Sequence, residues 1–187
     1  MRTSAPGQSA LLMLDVAEQL EARGVRYAVI GAMAAAVHGV VRASLDADAV
    51  VALGVSEARA LLQPLVDAGF ETTFRVGDAD DPIAALLAVT DSFGNRVDLL
   101  IGLRGMDPGV LDRTRPVALM GSLLQVVGRE DFVAMKAFAG GPLDLADARA
   151  VLAADRASID LELLRRLAQR FGRETVATME TLIRGDS

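Results

Sequence analysis

The stretch Tyr27–Leu53, YAVIGAMAAAVHGVVRASLDADAVVAL, constrains this chain more than any other. It reads as a short apolar strand, a turn marked by Gly31, an alanine-rich helix closing at Gly39, and a second strand carrying Asp46 and Asp48. Residues two apart on a strand point to the same side, with Cα atoms roughly 6.5–7 Å apart. Two carboxylates there, beside a run apolar enough to be buried sheet, are costly unless something positive sits between them. A divalent metal ion is the simplest candidate.

The rest of the composition limits what that ion can be. The chain has no cysteine and a single histidine, His38, so thiolate and histidine-based zinc sites are excluded. Oxygen ligands remain, and these suit magnesium or manganese. A net charge of −6 argues against electrostatic coating of nucleic acid, and no binding to long duplex DNA is expected. A local basic groove stays compatible with that charge. The first apolar run, Ala10–Leu14, is short and closed by Asp15, unlike a secretory signal. No segment reaches the roughly 18 uninterrupted apolar residues of a membrane span, so a cytoplasmic location without membrane contact is expected. The basic residues are 18 arginines and one lysine, Lys136.

Read in order, the chain predicts a helix over about Ala10–Arg23 capped by Ser9, then a strand over Arg26–Ile30. A helix over Ala32–His38 and a strand over Ala47–Leu53 follow, then a Ser56-capped helix over about Glu57–Ala68. Phe70–Val76, Ile83–Thr90 and Arg96–Leu103 read as strands, the last two joined by a turn at Asp91–Asn95. Asp107-Pro108 starts a short helical turn, and Arg115–Val127 holds one or two short strands. From Arg129 onward the pattern is helical: Glu130–Ala139, Leu143–Ala154, Ser158–Phe171 (capped by Ser158) and Arg173–Ile183. Mixed elements first and helices second predict an α/β (α+β) fold. Residues 1–127 would form the core, and 128–187 a helical region packed on it.

A third carboxylate, Asp98, lies in the apolar strand Arg96-Val97-Asp98-Leu99-Leu100. Gly31, Asp46, Asp48 and Asp98 together resemble the polymerase-beta type of nucleotidyltransferase. That superfamily shows Gly followed by Gly or Ser, nine to thirteen residues, Asp-x-Asp, and then an acidic residue on a neighbouring strand. Here thirteen residues separate Ala32 from Asp46, and Ala32 replaces the second Gly or Ser. Any serine hydroxyl contact to phosphate is therefore missing, leaving backbone amides. Further segments are similar to the AbiEii-like, minimal nucleotidyltransferase branch: Tyr27-Ala-Val-Ile-Gly31, His38-Gly39, Arg42-Ala-Ser44-Leu-Asp46-Ala-Asp48 and Glu130-Asp131-Phe-Val-Ala-Met-Lys136. Lys136 is followed by Asp144 and Asp147, while basic residues usual just before that Asp are replaced by Gly141, Pro142 and Leu143. The resemblance covers about residues 26–150.

The resemblance implies a nucleotidyltransferase-type mixed sheet flanked by helices, with a C-terminal helical segment. It implies that Asp46, Asp48 and Asp98 bind two Mg²⁺ or Mn²⁺ ions and catalyse transfer of a nucleoside monophosphate from an NTP to a hydroxyl. Gly31 and Ala32 amides, Arg42 and Lys136 would bind the nucleotide phosphates, with Asp144 and Asp147 in support. The acceptor would be a tRNA end or a protein side chain, in the setting of a toxin with an antitoxin partner. Two rival readings are a low-activity nucleotide- or RNA-binding regulatory module, and an enzyme that modifies a drug-like small molecule.

Each residue also has a plainer reading. Asp98 would pair with Arg96 or Arg104 across a strand end, and Arg42 would be a surface salt-bridge partner. Lys136 would be an ordinary helix-surface lysine. Asp144 and Asp147 fall in the first turn of a helix, where acids are favoured anyway. His38, in a last helical turn, is expected to be structural and favoured by the helix dipole.

Overall fold

Along Arg96–Leu103, Val97, Leu99 and Ile101 are buried, alternating with half-buried Asp98 and Leu100. That period of two builds a central strand with one face wholly in the core. The computed structural model describes residues 1–185. Its strands are β1 (Tyr27–Ile30), β2 (Asp46–Val51), β3 (Glu71–Val76), β4 (Ile83–Thr90), β5 (Arg96–Leu103), β6 (Arg115–Leu119) and β7 (Ser122–Val126). They form one sheet in the order β3-β4-β5-β2-β1-β7-β6. The pairs β2/β5 and β1/β7 are parallel, and all other neighbours are antiparallel.

Among the described residues, eight α-helices flank the sheet: α1 (Ser9–Glu21), α2 (Gly31–Val37), α3 (Val55–Ala60), α4 (Leu62–Asp67), α5 (Arg129–Ala139), α6 (Pro142–Ala154), α7 (Leu161–Phe171) and α8 (Arg173–Arg184). Helix α1 packs across β2 and β5, while α2 covers β1 and β2. Helices α5 to α8 pack on one another. The buried side chains of sheet and helices form a single apolar cluster, from Leu12 and Leu14 through Leu99 to Phe132, Leu164 and Met179. The expected mixed α/β architecture is the one observed.

Several local expectations are corrected. Ser9 does not cap α1; its hydroxyl donates to the Leu45 carbonyl and accepts the Arg96 N–H at 3.1 Å. That ties the first helix to the two strands that carry the acidic residues. Ser56 is not a cap either: Gly54 takes that position, its N–H donating to Glu57 at 2.7 Å. The helix expected over Glu57–Ala68 is two short ones meeting at Leu61. Pro64 explains the break, because it lacks the N–H that would bond back to Ala60. Asp160, not Ser158, caps α7 by accepting from the Leu163 N–H at 2.9 Å. Arg115–Val127 resolves into two strands around a two-residue turn, with Met120 and Gly121 both at positive φ, the geometry a tight hairpin demands.

The β4–β5 turn is held from inside. Buried Asn95 donates to the Ala5 carbonyl at 2.9 Å and to Asp91 at 2.8 Å, and accepts from the Gln8 N–H at 2.6 Å. It thereby pins the N-terminal segment just before the strand carrying Asp98. Removing it leaves buried partners without hydrogen bonds, a cost of about 1–3 kcal/mol. Asn95→Ala is expected to lower the urea midpoint of unfolding accordingly.

Candidate active site

Strand β1 ends at Ile30, and the next residue must turn sharply into α2. Gly31 does so with φ +62°, a conformation that side chains rarely adopt. Its lack of a side chain has a second use: a Cβ there would collide with the Asp48 carboxylate. The backbone at the start of α2 and the Asp48 carboxylate thus lie against each other. Ile30 and Asp48 are paired residues on adjacent strands, which fixes this approach. Ala32, the next residue, is buried.

Sheet register assembles the acids. In the parallel β2/β5 pair, Asp48 lies opposite Asp98, and Asp46 lies opposite Arg96. Asp46 is exposed, whereas Asp48 and Asp98 are half-buried. Burial first, and then the charges of Asp98 and Asp46, push the Asp48 carboxyl above the usual carboxylate range; Lys136 and Arg42 oppose this. Crowded anions of this kind are the condition a cation relieves. The donors are all oxygen, which fits Mg²⁺ or Mn²⁺ chemically. Among the described residues, however, no group of three acidic or histidine side chains is already arranged to hold a metal ion. Asp98 has a protein partner instead: Arg96 Nε donates to its Oδ1 at 2.8 Å.

The second group of candidates forms a charge network across α5 and α6. Lys136 Nζ lies 2.6 Å from Asp144 Oδ1 and 3.1 Å from Asp147 Oδ2. Arg42 Nε donates to both oxygens of Asp147, at 3.1 and 3.2 Å. Asp147 is almost completely buried, so two cations on one carboxylate are what makes its burial tolerable. Lys136 is also 5.6 Å from the centre of the Phe132 ring. Lys136 is therefore no ordinary surface lysine, while Arg42 is a salt-bridge partner, as the plainer reading had it, but of a buried carboxylate. Nor does Asp131 face this network: Arg113 binds both its oxygens, at 2.7 and 2.8 Å.

Gly31, Asp48, Lys136 and Asp144 share the wall of a cavity of about 380 Å³. The remainder of its wall is mostly apolar. Leu100 and Leu103 come from β5, Ile83 from β4, and Phe132, Met135 and Phe138 from α5. The sequence reading missed these side chains. Two signals were present: Leu100 shares a strand face with Asp98, and Phe132 and Met135 share a helix face with Lys136. A volume of this size is that of a small-molecule site.

His38 is structural, for a different reason than expected. It is buried, Nε2–H donates to the Val127 carbonyl at 2.9 Å, and burial lowers its pKa. A neutral ring is not held by the helix dipole; it is held by that hydrogen bond between α2 and the end of β7.

Neither a protein-family model nor a curated protein matches this chain. Solved structures do match it. An antigenic nucleotidyltransferase-like protein from Paracoccidioides brasiliensis is 14% identical, with a TM-score of 0.56 over 97% of this chain and 95% of that one. The antibiotic-resistance factor ANT(2'')-Ia is 15% identical, with a TM-score of 0.59 over 92% and 95%. The lincosamide antibiotic adenylyltransferase LnuA, solved with lincomycin, is 13% identical, with a TM-score of 0.52 over 81% and 99%. At such identities the likeness is one of architecture: the chain has a nucleotidyltransferase fold.

Two outcomes follow from the geometry at Gly31 and Asp48. A side chain at Gly31 would cost about 1–2 kcal/mol for the left-handed backbone alone and would also displace Asp48. Gly31→Ala is therefore expected to lower the urea midpoint of unfolding. As for Asp48, a carboxyl raised on folding binds its proton more tightly in the folded than in the unfolded chain. Its contribution is favourable at low pH and is lost as pH rises through the raised value. Asp48→Asn is expected to raise the thermal midpoint of the metal-free protein at neutral pH, an advantage that shrinks as pH falls through the raised value of Asp48 and reaches its minimum by about pH 4.

Proposed function

We propose that this protein is a metal-dependent nucleotidyltransferase that moves a nucleoside monophosphate from an NTP to the hydroxyl of a small molecule. The observation that carries this reading is the shared wall of one cavity. It brings Asp48, the Gly31 turn and Lys136 together with a largely apolar lining. Carboxylates that can carry divalent cations, with the Lys136 ammonium as a point charge, suit the triphosphate, and the apolar wall suits a compact partner molecule better than a polyanionic tRNA end.

Asp46, Asp48 and Asp98 would hold the divalent cations. When bound, these lower the pKa of the acceptor hydroxyl and neutralise charge on the triphosphate. The other roles belong to the chain itself. Lys136 and Arg42 present positive charge to the phosphates, oriented by Asp144 and Asp147. Gly31 lets phosphate and backbone approach beside Asp48 without a side chain between them. In the transfer the acceptor oxygen bonds to the α-phosphorus as the bond to the bridging oxygen breaks. Pyrophosphate leaves, and the hydroxyl proton departs toward the carboxylates.

ANT(2'')-Ia is an antibiotic-resistance factor and LnuA a lincosamide antibiotic adenylyltransferase, and their likeness in fold supports a drug-like acceptor here. The AbiEii-like reading, with an RNA or protein acceptor and an antitoxin partner, rests on the motifs around Gly31, Asp46 and Lys136. An assay separates these. The protein is incubated with each α-labelled NTP, Mg²⁺ or Mn²⁺, and in parallel total tRNA, cell extract and a panel of hydroxyl-bearing antibiotics. Transfer of label to a small molecule is expected, falling by a factor on the order of 100 or more in Asp46→Asn and Asp98→Asn. Label on tRNA or protein would favour the toxin-like acceptor. Nucleotide binding without transfer to any acceptor would favour the regulatory module.

A further inference from the structure

We propose that Arg96 is a resident counter-cation for Asp98, a positioning residue that holds this carboxylate in place and that a divalent cation must displace. The inference rests on the metal-dependent reading above, and it concerns a residue that the roles described so far do not use.

Arg96 and Asp98 are two apart on β5 and so share one face of the sheet. The Nε–Oδ1 distance is 2.8 Å. Across the sheet, Arg96 lies opposite Asp46, and Asp98 lies opposite Asp48. One guanidinium thus serves the same acidic cluster that the cations would occupy.

The pair is built unequally. The Arg96 side chain is 41% exposed and that of Asp98 only 17%. The guanidinium can leave into water, while the carboxylate stays where the sheet puts it. The Arg96 backbone does not need to move, because its N–H is fixed to Ser9 Oγ. An ion pair with a partly solvated arginine is weaker than a buried one, whereas a divalent cation gains from several carboxylates together. Exchange of one for the other is therefore favourable once the cation is present. In the absence of cation, Arg96 keeps a carboxylate next to Asp48 from standing unpaired.

The test is Mn²⁺ binding without nucleotide or acceptor, read from loss of the free Mn²⁺ signal in electron paramagnetic resonance. Arg96→Gln is expected to bind Mn²⁺ about fivefold more tightly than the natural chain. General removal of a positive charge would also tighten binding, so the same change is made in an Asp98→Asn background. There the gain is expected to vanish, because the exchange needs the carboxylate. Equal Mn²⁺ affinity in the natural chain and Arg96→Gln overturns the role of Arg96 alone. A gain that persists with Asp98→Asn overturns it too. Absence of Mn²⁺ binding in every chain overturns the metal-dependent reading, and this inference with it. If Arg96→Gln fails to fold, Arg96→Lys replaces it; it keeps the charge, loses the Nε donor, and is expected to give a smaller gain of about twofold.

Discussion

The molecule depends on a repulsion. Parallel pairing of β2 with β5 sets Asp48 beside Asp98, two carboxylates on neighbouring central strands of a buried sheet. No fold places such groups together by hydrophobic burial alone, since every other residue nearby would be better served by an apolar neighbour. The surrounding structure is arranged to contain this conflict. Arg96 takes one oxygen of Asp98, Lys136 and Arg42 offset the local negative charge, and Gly31 leaves room for the Asp48 carboxylate. A stable core on the opposite face, built from Val97, Leu99 and Ile101, keeps the arrangement in place.

Much of this was legible in the residues. The order of elements is set by periodicity and by punctuation at Gly24, Gly39, Gly69 and Gly140, so the mixed sheet and the helical end could be read directly. Pairing register could not. Spacing puts Asp46 and Asp48 on one face, but nothing local says that β5 rather than β4 lies beside β2. Asp98 came from a likeness of motif, and its place opposite Asp48 is a fact of the sheet.

Capping was the weakest part of the reading, and the reason is physical. Ser9, Ser56 and Ser158 are all residues that cap helices well in isolation. In this chain Ser9 has a better partner in the Leu45 carbonyl, Gly54 meets Glu57, and Asp160 lies closer to the start of α7. Tertiary partners decided each case. The cavity wall was missed for a related reason: Leu100, Phe132 and Met135 look like any core residues until the space between β5 and α5 is seen.

The buried Asp147 joins two parts of the chain. It is the single carboxylate shared by Arg42, on the loop entering β2, and Lys136, on α5. An anion that draws either cation toward itself must loosen that clasp, and by reciprocity a tighter clasp must weaken the hold on the anion. Occupancy of the cavity and the seating of α6 are then one equilibrium viewed from two ends. On the proposed reading, a substitution at Asp147 would alter the affinity for the triphosphate and the packing of α6 together, and the two could not be tuned apart.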